Sequence, residues 1–324
     1  MAVRASAPAK VILFGEHFVV YGEPALVIAI DRRAYAEAEL REDKAIHISS
    51  RDLNTSGTFY GEKFEPEKGG EKAKETLTPI YTAVRRALSQ AGKNVGIDVE
   101  VWSEIPVAAG LGSSAAVSAA AYTATAHLLG LRPTGEEVFD AAFEAEKIVH
   151  GTPSGVDPAI SAYGGALLYR RGEGIRRLSI SVDIPLVIGN TGVERSTGAM
   201  VSSVRELKTL LPELIEPLIK LGGRLTLKAL EALSVGDLET LGRLMNVNHG
   251  LLWAVGVSHP ALDRLVHASL SSGALGAKLT GAGGGGCMIA LARPGEAENI
   301  AKAIREAGGQ ALIARKTDIG ARVE

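Results

Sequence analysis

The 324-residue sequence is longer than one hydrophobic core usually serves, so we expect two domains. Hydrophobic residues make up 46% of the chain and charged residues 22%, and the net charge is −2, which excludes binding to nucleic acid or a membrane surface through a basic face. The single cysteine, Cys287, excludes an internal disulfide and a cysteine-based zinc site. With no signal-peptide pattern at the N-terminus, this composition predicts a cytoplasmic protein.

The first part of the chain alternates predicted strands and helices. Strands are predicted at 10–14, 25–30 and 34–41, with weak strands in the mobile polar stretch 50–74. A helix is predicted from Thr78, as its N-cap, to Gly92.

Further along, the alternation at 97–104 predicts a strand, and the Ala-rich segment 113–129 predicts a helix. Thr134 and Glu137 form a capping-box pattern for the next helix, which ends near residue 150.

For the second part of the chain, the sequence predicts two strands, then a series of helices, and finally a strand–helix–strand unit. Predicted strands lie at 166–169, 186–188, 287–292 and 311–314, and predicted helices at 198–211, 213–233, 237–254, 260–272 and 296–307. We place the first domain at 1–182 and the second at 183–324.

A glycine-rich turn lies between the strand at 97–104 and the following helix. Gly110 and Gly112 leave backbone N–H groups uncovered, and Ser113 and Ser114 follow at the helix start. A helix N-terminus of this kind binds anions, above all phosphate. The alternative is a tight turn capped by serine, which is the usual interpretation of an isolated Gly-x-Gly-Ser.

Glu146 lies on an apolar flank of its predicted helix, where an unpaired carboxylate is costly. A serine hydroxyl such as that of Ser114, one carboxylate, waters and phosphate oxygens form a typical Mg²⁺ site. An ion pair with a distant arginine or lysine explains the pattern equally well. Glu144, beside Asp140 and Lys147, is expected to be solvated.

Two more charged residues have both a functional and an ordinary interpretation. Asp157 follows Pro153 and Gly155 in a predicted loop, where it either carries out chemistry or forms an Asx-turn. Lys10 precedes a predicted buried strand, where it is either solvated or directed into a cleft.

The segment 281–286 formally matches the dinucleotide-binding pattern G-x-G-x-x-G, but that fingerprint follows a strand and opens a helix. Here a predicted strand comes after the glycines. We therefore expect a loop that allows close backbone approach. The chain also has no Walker-type phosphate loop.

Three segments in order resemble the three motifs of the GHMP kinases. They are 7–22, with Lys10, Glu16 and His17; 106–116, the phosphate-binding motif; and 278–287, the third motif. Within this superfamily the chain most resembles the mevalonate kinase family, and 151–163, 189–192, 196–197, 244–252 and 256–258 also match that pattern. The resemblance covers nearly the whole chain.

The resemblance implies an α+β GHMP kinase fold: a ribosomal-S5-like N-terminal domain, a ferredoxin-like C-terminal domain and an active site in the cleft between them. It implies that Asp157 is the catalytic base, that Lys10 stabilises the alkoxide and phosphoryl charge, and that Thr197 lies near Lys10. It also implies that Ser114 and Glu146 bind Mg²⁺.

The remaining implied roles concern the two substrates. ATP-binding positions are Pro106, Ala108, Ala109, Gly110, Leu111, Gly112, Ser113, Ser114 and Ala115. Substrate-binding positions are Glu16, His17, His150, Gly281 and Ala282.

The implied reaction is transfer of the γ-phosphoryl group of ATP to the 5-hydroxyl of mevalonate, with Mg²⁺ as cofactor. The alternative is another GHMP kinase of small molecules, such as phosphomevalonate kinase, which tends to have Glu-Tyr where this chain has Glu16-His17. A non-catalytic binding protein of the same fold would be expected to lack the equivalent of Lys10, Glu146 or Asp157. No nucleic-acid or membrane partner is expected, and a homodimer is compatible with the apolar C-terminal helices.

Two positions depart from the family pattern. Ala9 replaces the usual glycine before Lys10, and Asn190 replaces a common aspartate, so we assign Asn190 no catalytic role.

Overall fold

A computed structural model describes residues 2–106, 110–151, 153–194 and 196–324, and for His150 it describes the backbone alone. The strands are β1 (Val3–Phe14), β2 (Ala25–Arg41), β3 (Ile46–Ser50), β4 (Thr55–Tyr60), β5 (Lys63–Lys68), β6 (Gly96–Ser103), β7 (Ala166–Arg170), β8 (Gly174–Leu178), β9 (Pro185–Asn190), β10 (Gly276–Leu279), β11 (Cys287–Leu291), β12 (Gln310–Arg315) and β13 (Arg322–Val323). The helices are α1 (Ala73–Ala91), α2 (Ser113–Leu128), α3 (Gly135–His150), α4 (Val156–Tyr163), α5 (Thr197–Leu210), α6 (Pro212–Ser234), α7 (Leu238–Ala254), α8 (Pro260–Ser271) and α9 (Ala297–Glu306). Short 3-10 turns span Phe18–Tyr21 and Gly70–Lys72.

The larger sheet has the order β13-β1-β2-β6-β3-β4-β5, and β7 pairs with both β2 and β8. Its pairs are antiparallel apart from β3 with β6. Helix α2 packs against β1 and β2 and is flanked by α1, α3 and α4. Because α2 is enclosed on nearly every side, it needs small apolar residues around its whole circumference, which explains its alanines.

The smaller sheet is antiparallel, with the order β10-β11-β9-β12. Helices α8 and α9 pack against it, and α7 packs against β10. Its strands all follow residue 183, where we placed the start of the second domain. The C-terminal β13 returns to the larger sheet and pairs with β1.

Several element boundaries differ from those predicted. The two strands predicted at 25–30 and 34–41 form the single strand β2, which pairs with β1 through an irregularity between Pro8 and Ala9. The polar stretch after residue 50 contributes two hydrogen-bonded strands, β4 and β5.

Helix α1 begins at Ala73, so the prediction that Thr78 caps it is wrong. Buried Ala73 and Leu77 extend its apolar face toward the N-terminus, and the Thr78 hydroxyl donates to the Lys74 carbonyl at 2.6 Å. The C-cap at Gly92 and the capping box of Thr134 and Glu137 are confirmed.

Within the described residues, no helix combines the length and apolar character needed to cross a bilayer.

Candidate active site

The N-terminus of α2 is built as an uncapped helix end. Its N-cap is Gly112, which has φ +77° and no side chain to bond the first amides. The serine-capped turn considered above is therefore wrong. The N–H groups of Ser113, Ser114 and Ala115 have no partner within the helix, so they and the helix dipole favour an anion there.

Lys10 lies well inside β1, and not at the beginning of a strand as predicted, because pairing with β2 extends from residue 3 to residue 14. Its N–H donates to the Leu111 carbonyl at 2.9 Å, which fixes the glycine-rich turn before α2 against the strand. Its side chain is mostly buried, and Nζ lies 3.2 Å from Asp157 Oδ1.

Asp157 is the second residue of α4, where the sequence predicted a loop. Gly155 is the N-cap, with φ +82°. The Asp157 carboxylate faces Lys10 and keeps about a quarter of its side chain exposed, so the geometry favours the functional interpretation over an Asx-turn.

Gly112 lies directly against this lysine–aspartate pair. A Cβ built at Gly112 would lie 2.9 Å from Lys10 Cγ and 3.4 Å from Asp157 Oδ2. The glycine-rich turn thus approaches the pair more closely than a residue with a side chain would permit.

Ser114 and Glu146 meet across α2 and α3, with Ser114 Oγ donating to Glu146 Oε1 at 2.7 Å. Glu146 is only 5% exposed, as its apolar flank predicted. Glu144 is on the exposed side of the same helix and pairs with Arg86 at 2.8 Å. Ser114, and not Ser113, is therefore the serine linked to the buried carboxylate.

A hydroxyl and a carboxylate are hard oxygen donors of the kind that Mg²⁺ prefers. Among the described residues, no three His, Cys, Asp or Glu side chains form a metal-binding cluster. This donor set fits a Mg²⁺ ion that takes its remaining oxygens from phosphate and water, and it does not fit a site formed by protein ligands alone.

A cleft of about 660 Å³ opens beside Ser113 and Ser114. Its walls come from α1, β6 and the end of α3, and include Pro79, Trp102 and Ile148. We did not identify these residues from the sequence, since they are ordinary apolar or surface residues that only the fold brings together.

Glu16 and His17 lie in the turn after β1, and their side chains have different partners. His17 is mostly buried, and its Nε2 lies 2.8 Å from the carbonyl oxygen of Ala282. The carboxylate of Glu16 is completely buried in an ion pair with Lys278. The substrate-binding role that the resemblance implies for Glu16 stays a prediction.

The glycine loop 281–286 leads into β11, as predicted. Because a strand and not a helix follows the glycines, the loop does not have the context of a dinucleotide-binding fingerprint. Gly284 packs against Met200 at the start of α5, and Gly285 packs against Val193. Gly281 and Ala282 are partly exposed and lie on the same side as His17.

Thr197 is the exposed first residue of α5. It forms no hydrogen bond with Lys10 among the contacts between described residues. Ala108, Ala109 and the side chain of His150 lie outside the described part of the chain, so their predicted roles stay predictions.

Two family models match the chain: "GHMP kinases N terminal domain" over residues 78–165 and "GHMP kinases C terminal" over 227–310. Mevalonate kinase of Pyrococcus horikoshii is 47% identical, with 99% of this chain and 98% of the relative covered. That of Thermococcus sibiricus is 46% identical, with 100% and 99% covered.

The fold of this chain also matches that of a solved structure. The crystal structure of L. major mevalonate kinase in complex with R-mevalonate superposes with a TM-score of 0.83 at 30% identity, covering 97% of this chain and 96% of that one. Similarity at this level over the whole length shows that the chain belongs to the mevalonate kinase family of the GHMP kinases.

Proposed function

We propose that this protein transfers the γ-phosphoryl group of ATP to the 5-hydroxyl of mevalonate, with Lys10 and Asp157 acting on that hydroxyl. The observation that carries the proposal is the 3.2 Å contact between Lys10 and Asp157 next to the uncapped N-terminus of α2. An anion-binding helix end and an acid–base pair on either side of Gly112 are the two parts that phosphoryl transfer needs.

The phosphate groups of ATP would lie at the N-terminus of α2. The N–H groups of Ser113, Ser114 and Ala115, which have no partner within the helix, would donate to phosphate oxygens, and the helix dipole would favour their negative charge. The neighbouring cleft, with apolar walls at Pro79, Trp102 and Ile148, is large enough for the nucleoside.

Ser114 and Glu146 would hold Mg²⁺, which when bound offsets the phosphate charge. In this arrangement the Ser114 hydroxyl stays oriented by its contact with Glu146. Because Glu146 is buried among apolar residues, its carboxylate keeps a defined position.

Asp157 would accept the proton of the acceptor hydroxyl. The new bond forms between that oxygen and the γ-phosphorus, the bond from the γ-phosphorus to the bridging oxygen breaks, and ADP leaves. Lys10 would favour the developing alkoxide and stabilise charge on the transferring group. The partly exposed carboxylate and the adjacent ammonium both reach one small volume beside Gly112.

His17 would face the acceptor substrate, with the 281–282 segment opposite it. The apolar residues that follow His17 suit the methyl-branched chain of mevalonate better than a sugar. Phosphomevalonate is disfavoured because the full-length relatives of this chain are named mevalonate kinases.

The test is ATP turnover with mevalonate, phosphomevalonate, homoserine and galactose measured side by side. We expect mevalonate to have the highest kcat/KM, with 5-phosphomevalonate as product. A higher kcat/KM for phosphomevalonate would move the assignment to the alternative kinase, and ATP binding without turnover of any acceptor would indicate a binding protein. A homodimer and a cytoplasmic location stay predictions.

A further inference from the structure

The end of β1 and the turn after it are tied by three side-chain contacts to residues 278–282, at the end of β10 and in the loop that follows it. The contacts are Lys278 with Glu16, the Thr280 hydroxyl with the Ile12 carbonyl at 2.9 Å, and His17 with the Ala282 carbonyl at 2.8 Å. Because the two segments belong to different sheets, the geometry of this turn depends on the packing between the two halves of the molecule.

The ion pair of Lys278 and Glu16 is the innermost of these contacts, and both side chains are completely buried. Lys278 Nζ donates to Glu16 Oε1 and, at 2.7 Å, to the Leu279 carbonyl. Asn248 Nδ2 donates to the other Glu16 oxygen at 3.4 Å. Both carboxylate oxygens are thus engaged inside the protein.

The backbone on either side of Glu16 is unusual. His17 has φ +60°, a region that residues with side chains rarely adopt, and Gly15 has φ +101° with no room for a Cβ beside Ala25. Such a conformation costs about 1–3 kcal/mol and persists when surrounding contacts hold it. Glu16 lies between these two positions of positive φ, of which only His17 is strained.

A buried ion pair is weak evidence for stability, since desolvation offsets most of the attraction and an apolar pair often does as well. What the charged pair adds is a defined geometry for the Glu16 side chain. The hydrogen bonds of Lys278 fix where the Glu16 carboxylate lies, and therefore where the next residue, His17, presents its imidazole.

We infer that Lys278 is a positioning residue for the acceptor substrate, acting through Glu16 to hold the Gly15–His17 turn and its imidazole in the binding geometry. This inference rests on the proposed function in one respect, the placement of His17 on the acceptor side. Lys278 itself is completely buried and does not contact substrate.

The test compares Glu16→Gln, Lys278→Met and the double variant with both changes. Each single variant leaves a buried polar group without its partner, so its unfolding temperature should fall. In the double variant neither charge remains, and the unfolding temperature should recover toward that of the wild type.

We expect the double variant to keep an acceptor KM raised on the order of 10-fold or more, because a small misplacement of a binding group is sufficient for that loss. The KM for ATP should stay unchanged, since the phosphate site lies on α2. If the double variant shows a wild-type acceptor KM, the pair contributes only to stability and the inference is overturned. Equal increases in both KM values would also overturn it.

If the double variant does not fold, Glu16→Gln alone decides, because it keeps the size of the side chain and removes the charge that Lys278 binds. A selective rise in acceptor KM supports the inference, and a wild-type value overturns it. Arg33→Met is the matched control, since Arg33 is also a buried cation but binds the C-terminal tail. It should lower the unfolding temperature with both KM values unchanged.

The wild-type acceptor panel separates this inference from the proposed function. If mevalonate is not turned over, the proposed function fails. The KM comparison is then made with whichever acceptor the wild type does phosphorylate.

Discussion

Lys10 and Asp157 show how a residue takes its role from its neighbours. Each has an ordinary interpretation in isolation, as a strand-end lysine and a turn-forming aspartate. Side by side at 3.2 Å, next to the uncapped N-terminus of α2, they are the residues that we propose act on the acceptor hydroxyl.

The change Asp157→Asn should remove the proton acceptor and keep the shape of the site. Turnover should fall on the order of 10²–10⁴-fold, the usual contribution of an acid–base group. Steady-state kinetics gives the loss, and calorimetric titration should show ATP binding nearly intact. Asp183→Asn, at an exposed aspartate paired with Arg315, serves as the control and should have wild-type turnover. Near-normal activity of Asp157→Asn would remove this residue from the mechanism.

The change Glu146→Gln should weaken the proposed Mg²⁺ site, because an amide oxygen is a poorer ligand than a carboxylate. We expect reduced activity that high Mg²⁺ partly restores, measured as turnover across a Mg²⁺ titration. The control is Glu144→Gln, two positions away on the exposed face of the same helix. An unshifted Mg²⁺ dependence in Glu146→Gln would favour the purely structural ion pair.

At the scale of elements, the site depends on how closely α2 approaches β1 and α4. Gly112 permits that approach because it combines a positive φ with contact to Lys10. Gly130, after the other end of α2, has φ +89° but no atom within 4 Å of a Cβ built there. Substitutions at these two glycines therefore distinguish the effect of backbone strain from the effect of the close contact.

Gly112→Ala and Gly130→Ala should both lose stability, on the order of 1 kcal/mol, because alanine resists a positive φ. Only Gly112→Ala should also lose most of its turnover, since its methyl group displaces Lys10. Thermal unfolding and steady-state kinetics measure the two effects. If both variants keep full activity, close contact of the loop with Lys10 is not needed for catalysis.

Helix α7 contributes a pH-dependent contact with β10 and α8. His249 Nδ1 accepts from the Leu279 N–H at 3.3 Å, and its Nε2 lies 3.3 Å from Asp263 Oδ1. Burial lowers the pKa of His249 below its ordinary 6.5, opposed by Asp263 and assisted by the charge of Lys278. Protonation of His249 at Nδ1 would place a donor N–H against the N–H of Leu279.

Stability should therefore fall as the pH decreases below 6.5, because the unfolded chain takes up a proton that folded His249 resists. Well above pH 6.5 His249 is neutral in both states and contributes no slope. Chemical denaturation between pH 5 and 8 measures the effect, whose slope is at most about 1.4 kcal/mol per pH unit for one group. His249→Gln should reduce the slope, and an unchanged slope would exclude His249 as its source.

At the scale of the whole molecule, the C-terminal tail joins the two sheets. After β12 the chain returns to the larger sheet, where β13 pairs with β1. Buried Arg33 holds this return by donating to the carbonyls of Gly320 at 2.7 Å and Ile319 at 3.2 Å. It also donates to the Ser6 hydroxyl at 2.6 Å.

Arg33→Met should lower the free energy of unfolding by about 2 kcal/mol or more, because several buried acceptors lose their donor. Arg4→Met is the comparison, since exposed Arg4 pairs with Glu37 on the same sheet and such pairs contribute about 1 kcal/mol or less. Denaturant unfolding of both variants gives the difference. A cost no larger than that of Arg4→Met would show that Arg33 does not anchor the tail.

Much of this molecule is determined by the sequence alone. Periodicity and turn residues place most helices and strands, because an apolar face must be buried and a cap must satisfy backbone groups within a few residues. The uncapped glycine turn and the position of Glu146 on an apolar helix flank are also local features. Each indicates a site without reference to the rest of the chain.

Only the tertiary structure decides which distant residues meet. It places Asp157 against Lys10, selects Ser114 as the partner of Glu146, and encloses Glu16 with Lys278. The resemblance implies a substrate-side position for Glu16, and no local pattern around this residue indicates its buried ion pair with Lys278. A contact between different sheets depends on the packing of both, and no residue pattern within one segment encodes where the other segment will lie.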